Sequence, residues 1–464
     1  MKTIPKAGWP GWVRARLGAA KNLELKESRG HLYVYSYRMV WDKGAKRPRK
    51  TTKYVGRLRQ YGARIREHGH VALLMHLMEK HKVMKALKES FPDCWEPLLL
   101  FAINRVIAQT PLKSMGSWAE KTTLEKTTGA PLGKKLSQVL AKVGVDTGSQ
   151  NAFMQDMMKD GELLLYDGSV IYSSSGYNKL LEIGHDKEDS YQQKANIGLL
   201  FSKDRNVPVH FRLFFGSVHE IKTIDRIAHE MRDRDMMFVG DKGFYKNRLF
   251  ADLEELKIGF IIPLPRDDKR IDYSRECAGF FKYHKRIIRH TSWKEGEYWV
   301  YHFEDLYMKA AETNEYYDLL LKKKAKQIRK KIVFHEEWAG RISLLSNRKL
   351  SPKEAYLLWK SRDRIEKAFH ILQNRLELDK PYVSNEEVFR GYVFASFISL
   401  IVYYLVLNLL KKKGINDRVS VDDVMLEFSK IVVEDGPCPT FAEIPAKVQK
   451  LAKELGVWDI LVKI

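Results

Sequence analysis

The sequence predicts an α/β fold, and three observations carry the assignment. Two apolar runs, Leu163-Leu-Leu-Tyr-Asp167-Gly and Met236-Met-Phe-Val-Gly-Asp241, have the form of buried strands, each delivering an acid at its tip. β-rich and helical stretches follow these runs in alternation: Ala195 to Ser202, Val207 to Gly216, a helix from His219 to Arg232, then a helix from Tyr245 to Leu256 and the strand Ile258 to Ile262. Third, a single helix is expected from Pro352 to Leu378. At about 100° per residue, Leu358, Ile365, Phe369, Leu372 and Leu376 form an apolar stripe, and Trp359, Arg362, Glu366 and Gln373 share an adjacent edge.

Taken in order, residues 1–62 read as a basic, β-rich region. It holds Trp9 and Trp12, an alternating run from His31 to Tyr37, a cationic loop with Arg47, Arg49 and Lys50, and Thr51 to Val55, which together form a β-hairpin with a basic tip. Residues 63–160 are helical, with Val71, Leu74, Leu77 and Met78 at helical spacing and Leu98 to Ala108 as a second apolar helix. The basic edge of this region suits DNA, although a solvated face explains it equally well. The α/β core occupies 161–265 and resumes over 341–411, starting with the strand Arg341 to Leu345. Residues 266–340 form a β-leaning insertion ending in a very basic helix that includes Lys322, Lys323 and Lys324, and 412–464 form a helical tail. Val393 to Leu410 is almost wholly apolar, but it carries Ser396, Ser399 and Asn408 and stands alone in a polar chain, so it reads as a core helix rather than a membrane span.

Composition narrows the partner. With 81 basic against 58 acidic residues the net charge is +23, a self-repelling balance best explained by a polyanionic partner, nucleic acid first among them. Three scattered cysteines, with no CxxC pair, argue against a disulfide framework and against a cysteine zinc site. A reducing cytoplasm fits, and no apolar signal segment opens the chain.

The chemistry is carried by acids. Asp167 and Asp241 end strands that the order sets side by side, and Glu366 lies on the helix after the last strand. Singly, an Asp-Gly after an apolar run is more often a turn, and Glu366 beside Arg362 is a plain i,i+4 ion pair. Together, three converging carboxylates require a neutralising cation. All-oxygen ligation selects a hard ion such as Mg²⁺ or Mn²⁺, and paired ions of that kind perform in-line phosphodiester displacement.

The blocks Leu165-Tyr-Asp167-Gly-Ser169, Phe238-Val-Gly-Asp241-Lys-Gly-Phe244 and Arg362-Asp-Arg-Ile-Glu366-Lys-Ala-Phe369 resemble those of the DDE transposases of bacterial and archaeal insertion sequences, specifically the insertion-sequence-four superfamily. The likeness runs from about Glu162 to about Leu410. It implies an RNase H-like mixed sheet flanked by helices, with a β-rich insertion between the second Asp and the Glu. The intervals agree, being 74 residues from 167 to 241 and 125 from 241 to 366. The resemblance further implies that Asp167, Asp241 and Glu366 bind two Mg²⁺ ions, with Mn²⁺ able to substitute. The implied activity is cleavage of transposon ends followed by strand transfer, a cut-and-paste transposition by a homodimer pairing two ends of double-stranded DNA in a prokaryotic cytoplasm, at the nucleoid.

In the family pattern a Tyr stands three residues before the Arg and a Lys seven after the Glu; here Trp359 and Gln373 occupy those places. Trp can stack as Tyr does, and Gln keeps a hydrogen-bond donor but loses a charge directed at phosphate. The change leaves open a non-cutting relic that only binds DNA, and a nuclease without transfer activity is a further alternative. Arg362 suits a phosphate near the cut through its fork geometry. In the insertion, Trp293 either stacks a flipped base or packs its own sheet, while Trp299, inside an alternating run, reads as packing.

Overall fold

The computed structural model describes residues 2–17, 22–28, 31–42, 44–58, 65–128, 135–172, 180–183, 193–217, 227, 231, 234–240, 242, 245, 247–321, 335–378, 383, 385–434 and 439–463. By packing, the chain forms two units that cut across its linear order. One comprises Met1–Lys80, Thr110–Gly133 and Leu409–Ile464; the other comprises His81–Gln109 and Lys134–Asn408. The helical stretch expected over 63–160 is therefore shared between them.

The first unit opens with an antiparallel sheet of β1 (Lys2–Ile4), β2 (Leu23–Ser28), β3 (His31–Asp42) and β4 (Arg47–Leu58), in that order. Trp9, Val13, Leu25 and Val34 form its small core. The predicted hairpin is present with longer strands. Its ladder continues from Tyr37 opposite Thr52 to Asp42 opposite Arg47, so most of the expected basic loop is strand. Asp42 closes the turn by accepting from the Gly44 and Ala45 N–H groups at 3.0 Å each. A second sheet joins β5 (Ile65–Glu67) to β16 (Val432–Glu434) and β17 (Thr440–Phe441). The helix Gly69–Lys80 packs on Val421–Ser429. A methyl group on Gly69 would come within 2.6 Å of the Phe428 carbonyl oxygen, a crossing that only glycine permits. This pairing draws the C-terminal tail to residues 65–80.

The second unit is built on a ten-stranded sheet among the described residues. At its centre β6 (Leu164–Tyr172) pairs antiparallel with β8 (Gln193–Ser202), which carries β9 (Val207–Phe215) on its other side and the short β7 (Glu182–Ile183) at one end. On the opposite edge of β6, β10 (Met236–Val239) and then β11 (Gly259–Pro263) run parallel. Numbered from β6 along the chain, the core order is 3-2-1-4-5 with strands 1, 4 and 5 parallel, which is the RNase H-like arrangement. These strands are buried on both faces, hence their unbroken apolar runs. The β-rich insertion is present as β12 (Gly279–Tyr283), β13 (Arg286–Glu295) and β14 (Tyr298–Asp305), and it continues the core sheet: β14 pairs with β15 (Arg341–Ser346), and β15 pairs with β11. Of the expected helix 219–232, only Ile227 and Met231 lie within the described residues, both buried.

Two expectations are corrected. Asp167 does not end its strand. β6 runs on to Tyr172 because β8 pairs with it along the whole length, whereas β10 pairs only with Leu164 to Tyr166. Nor is Pro352–Leu378 one helix. Ser351 and Glu354 form a capping box that starts Pro352–Lys360, and a second helix covers Arg362–His370, followed by a π-helical turn over Ile371–Arg375. At the break the Ser361 hydroxyl donates back to the Leu358 carbonyl, a bond that competes with the helical ladder and bends it. The stripe of Leu358, Ile365, Phe369, Leu372 and Leu376 is buried as expected.

The apolar helix Glu386–Lys412 is a core helix, with 78% of its most apolar window buried in the protein. Ser396 and Ser399 are buried along it, and Asn408 clasps the β8–β9 turn. The Asn408 amide donates to the Arg205 and Asn206 carbonyls at 2.9 and 3.1 Å, and Asn206 donates to its oxygen at 2.7 Å. It crosses the helix Lys135–Val145 glycine to glycine: a methyl on Gly144 would overlap the Glu387 carbonyl, and one on Gly391 would overlap that of Leu140.

Candidate active site

The site begins where β10 stops. Phe238 lies level with Tyr166, so Asp167 is the first residue of β6 beyond the paired stretch. Its side chain is buried, and Oδ1 accepts from the Gly168 N–H at 2.9 Å. Helix Arg362–His370 packs on β6 and brings Arg362 to this point. Arg362 Nε lies 3.6 Å from Asp167 Oδ2, and its Nη2 lies 2.8 Å from Glu366 Oε1. One guanidinium thus faces two carboxylates from different elements. Asp167 is shielded, whereas the Glu366 side chain is 49% exposed and faces solvent. Asp241, two residues beyond the end of β10, lies outside the described residues.

Gln373, in the π-helical turn, ties the same helix to the same strand. Its Nε2 donates to the Val170 carbonyl at 2.7 Å and to Ser169 Oγ at 3.4 Å. Its described contacts are therefore within the protein, and they fix the helix three residues along β6 from Asp167. Trp359 is half-buried, with the Lys360 ammonium 4.3 Å over its ring and the edge of Tyr356 at 5.9 Å. Tyr356 itself is buried among Phe281, Tyr283 and Phe303, locking the helix Pro352–Lys360 to the insertion strands. Burial, reinforced by the Asp305 carboxylate, pushes its phenol up to about 12.

Trp293 is 7% exposed, with the Arg275 guanidinium 4.5 Å over its ring, so a base reaches it only if Arg275 moves. Trp299 is half-buried with Lys349 5.3 Å from its ring. Lys322, Lys323 and Lys324 lie outside the described residues. Arg47 and Arg49 are exposed on β4 of the first unit. Lys50 instead pairs with Glu24 on β2 while lying 4.3 Å over the Tyr37 ring. Burial alone would raise the Glu24 carboxyl, but hydrogen bonds from Lys50 and Lys26 hold it below the usual range. The residue that reasoning from sequence passed over is Arg38, exposed on β3 and paired with Thr51; the signal was the alternation carried past Tyr37.

No curated protein sequence matches the chain significantly. Among solved structures, the chain is similar to the cryo-EM structure of the piggyBac transposase synaptic complex with hairpin DNA, at 8% identity and a TM-score of 0.40, covering 79% of this chain and 80% of that one. The profile of the family described as "Transposase DDE domain" matches residues 159–402. That match takes in more than half of the chain, including β6, β8 to β11 and the helix of Arg362 and Glu366, and so the protein belongs to the DDE transposase family, whose work is DNA transposition.

Proposed function

We propose that this chain cuts transposon ends and joins them to target DNA at a divalent-metal site formed by Asp167, Asp241 and Glu366, and that it is a member of the insertion-sequence-four superfamily acting as a homodimer at the nucleoid of a prokaryote. The observation that carries the reading is the convergence of Asp167 and Glu366 on one positive group, the Arg362 guanidinium, at the point where β10 leaves β6. The donor set fits the group: carboxylate oxygens on one side of a cationic centre suit Mg²⁺ or Mn²⁺ and do not suit zinc. When bound, such ions activate water and stabilise the departing 3′ oxygen.

The chain's own residues do the rest. The Gly168 N–H holds Asp167 in one orientation, and burial keeps its carboxylate away from bulk water. Arg362 spaces Asp167 from Glu366, and its fork is the natural grip for a phosphate beside the scissile bond. Gln373 and the stripe beneath the helix keep that fork in register with β6. No protein nucleophile is required, because the 3′ hydroxyl freed by the first cut serves as the nucleophile in the second step.

The test is cleavage and strand transfer on labelled DNA spanning the flanks of the gene, in Mg²⁺, comparing wild type with Asp167→Asn. Wild type is expected to cut at discrete ends and to yield joined products, while Asp167→Asn binds equally and does neither. Binding by both proteins with no cutting in Mg²⁺ or Mn²⁺ refutes the enzymatic reading for this copy and leaves a DNA-binding relic. Nicks without joined products reduce it to a nuclease.

A further inference from the structure

Among the described residues, the distal half of the β3–β4 hairpin has no core beneath it. β2 covers β3 only from His31 to Ser36, and β4 is the edge of the sheet. Beyond that point Tyr37 to Asp42 and Arg47 to Thr52 form a two-stranded ribbon of six residue pairs, roughly 20 Å long. Residues 38–41 and 44–55 are all exposed. Cross-strand partners share a face, so the register sorts the ribbon's side chains. Arg38, Val40, Asp42, Arg47, Arg49 and Thr51 lie on one face, and Tyr37, Met39, Trp41, Pro48, Lys50 and Thr52 on the other. Lys50 on the second face is engaged by Glu24. On the first face the only carboxylate is Asp42, whose Oδ1 closes the turn and whose Oδ2 stands 4.0 Å from Arg49. Three arginines are left displayed on a narrow projecting element.

We propose that this ribbon is a duplex-DNA reader that enters the major groove with its Arg38, Arg47 and Arg49 face toward the bases and phosphates. The groove is about 12 Å wide and admits a two-stranded β-ribbon, and arginine is the side chain best matched to both guanine edges and phosphates. The charge is complementary: a chain of net +23 places three arginines on an exposed face that, among the described residues, supports no hydrophobic core. The inference rests on the transposase reading for the identity of the DNA, and it assigns the ends' recognition to the unit that does not contain Asp167.

The experiment uses the full chain, a duplex from the flanks of its gene and a scrambled duplex of equal length, with affinity measured across a salt series. The combined variant R38A/R47A/R49A is compared with M39A/W41A on the opposite face, and circular dichroism checks that both fold. The arginine variant is expected to lose at least about tenfold in affinity for the flank duplex. Its log–log salt slope should flatten by about 1 to 3, one for each arginine that meets a phosphate. Methylation of guanine N7 should interfere with wild-type binding, and that pattern should disappear in the arginine variant. Wild-type affinity, slope and interference in the arginine variant overturn the proposal, as does a loss confined to M39A/W41A. Wild-type cleavage separates the two readings: if wild type binds but never cuts while the arginine variant loses binding, the catalytic proposal fails and the ribbon stands.

Discussion

Arg205→Met isolates what anchors the strand that carries Asp167. Glu162, two residues before β6, is buried and accepts four hydrogen bonds: from Arg205 Nε at 2.8 Å, Arg205 Nη2 at 2.6 Å, Ser202 Oγ at 2.6 Å and the Lys159 N–H at 2.8 Å. Methionine keeps most of the stem volume but removes both charge-assisted bonds, stranding a carboxylate whose side chain is 6% exposed. Breaking a fully buried pair costs about 3–5 kcal/mol; because the Arg205 side chain is itself 29% exposed, the expected loss is nearer 2–4 kcal/mol. Burial alone would raise the Glu162 carboxyl, but Arg205, Ser202 and the Lys159 N–H together hold it below the usual carboxylate range. In wild type this stabilisation is therefore present above the unfolded pKa and fades as pH falls through the lower folded value. In the variant burial wins, the folded pKa rises, and the deficit shrinks as pH drops from 7 toward 5 because protonated Glu162 carries no charge to bury. The two units need not unfold together, so the assay is urea-dependent hydrogen exchange of β6 and β8 amides at both pH values. A loss under about 1 kcal/mol, or an equal loss at pH 7 and pH 5, would refute the reasoning. Glu162→Gln combined with Arg205→Met should recover much of the stability, since no charge is then left buried.

Further outcomes follow from the same geometry. Arg362→Lys keeps the charge but not the fork that faces Asp167 and Glu366, so single-turnover cleavage should fall by about 10²-fold while titrated DNA affinity changes little; unchanged cleavage would remove Arg362 from the site. Gly144→Ala and Gly391→Ala should each destabilise the second unit by about 3 kcal/mol or more, because each methyl meets backbone rather than a movable side chain; amide exchange in the two crossing helices would detect it. Burial pushes the His210 imidazole down to about 3 and that of His302 to about 4. Unfolded histidine binds its proton near pH 6.5 and these do not, so each should remove about 1.4 kcal/mol per pH unit below that point. His302→Asn, which can still meet Ser343, should flatten the acid limb of a stability–pH curve, and an unchanged slope would count against it.

The periodic features were legible in the sequence because they are local. Burial of Leu358, Ile365, Phe369, Leu372 and Leu376 follows from the angular spacing of side chains on a helix, and the hairpin at residues 31–58 from alternation around a basic turn. The strands between Leu164 and Pro263 and the helix Asn247–Glu255 were equally readable, as was the block around Asp167, since apolar runs and short motifs are contiguous in the chain. What depended on partners distant in sequence was not. Asp167 sits within its strand because β8 pairs on past it while β10 does not, and no local pattern in residues 163–172 records that difference. The insertion strands reach the core sheet through β14 and β15, a pairing made across more than thirty residues of chain. Gln373, Lys50 and Trp293 carry the chemistry of DNA contacts, yet the folded chain gives them Val170, Glu24 and Arg275 as neighbours. Sequence determined which side chains had the right chemistry, because composition and period are properties of a segment. Tertiary structure decided which of them remain turned outward, because a donor or a ring is available to a ligand only where no residue from another element has met it first.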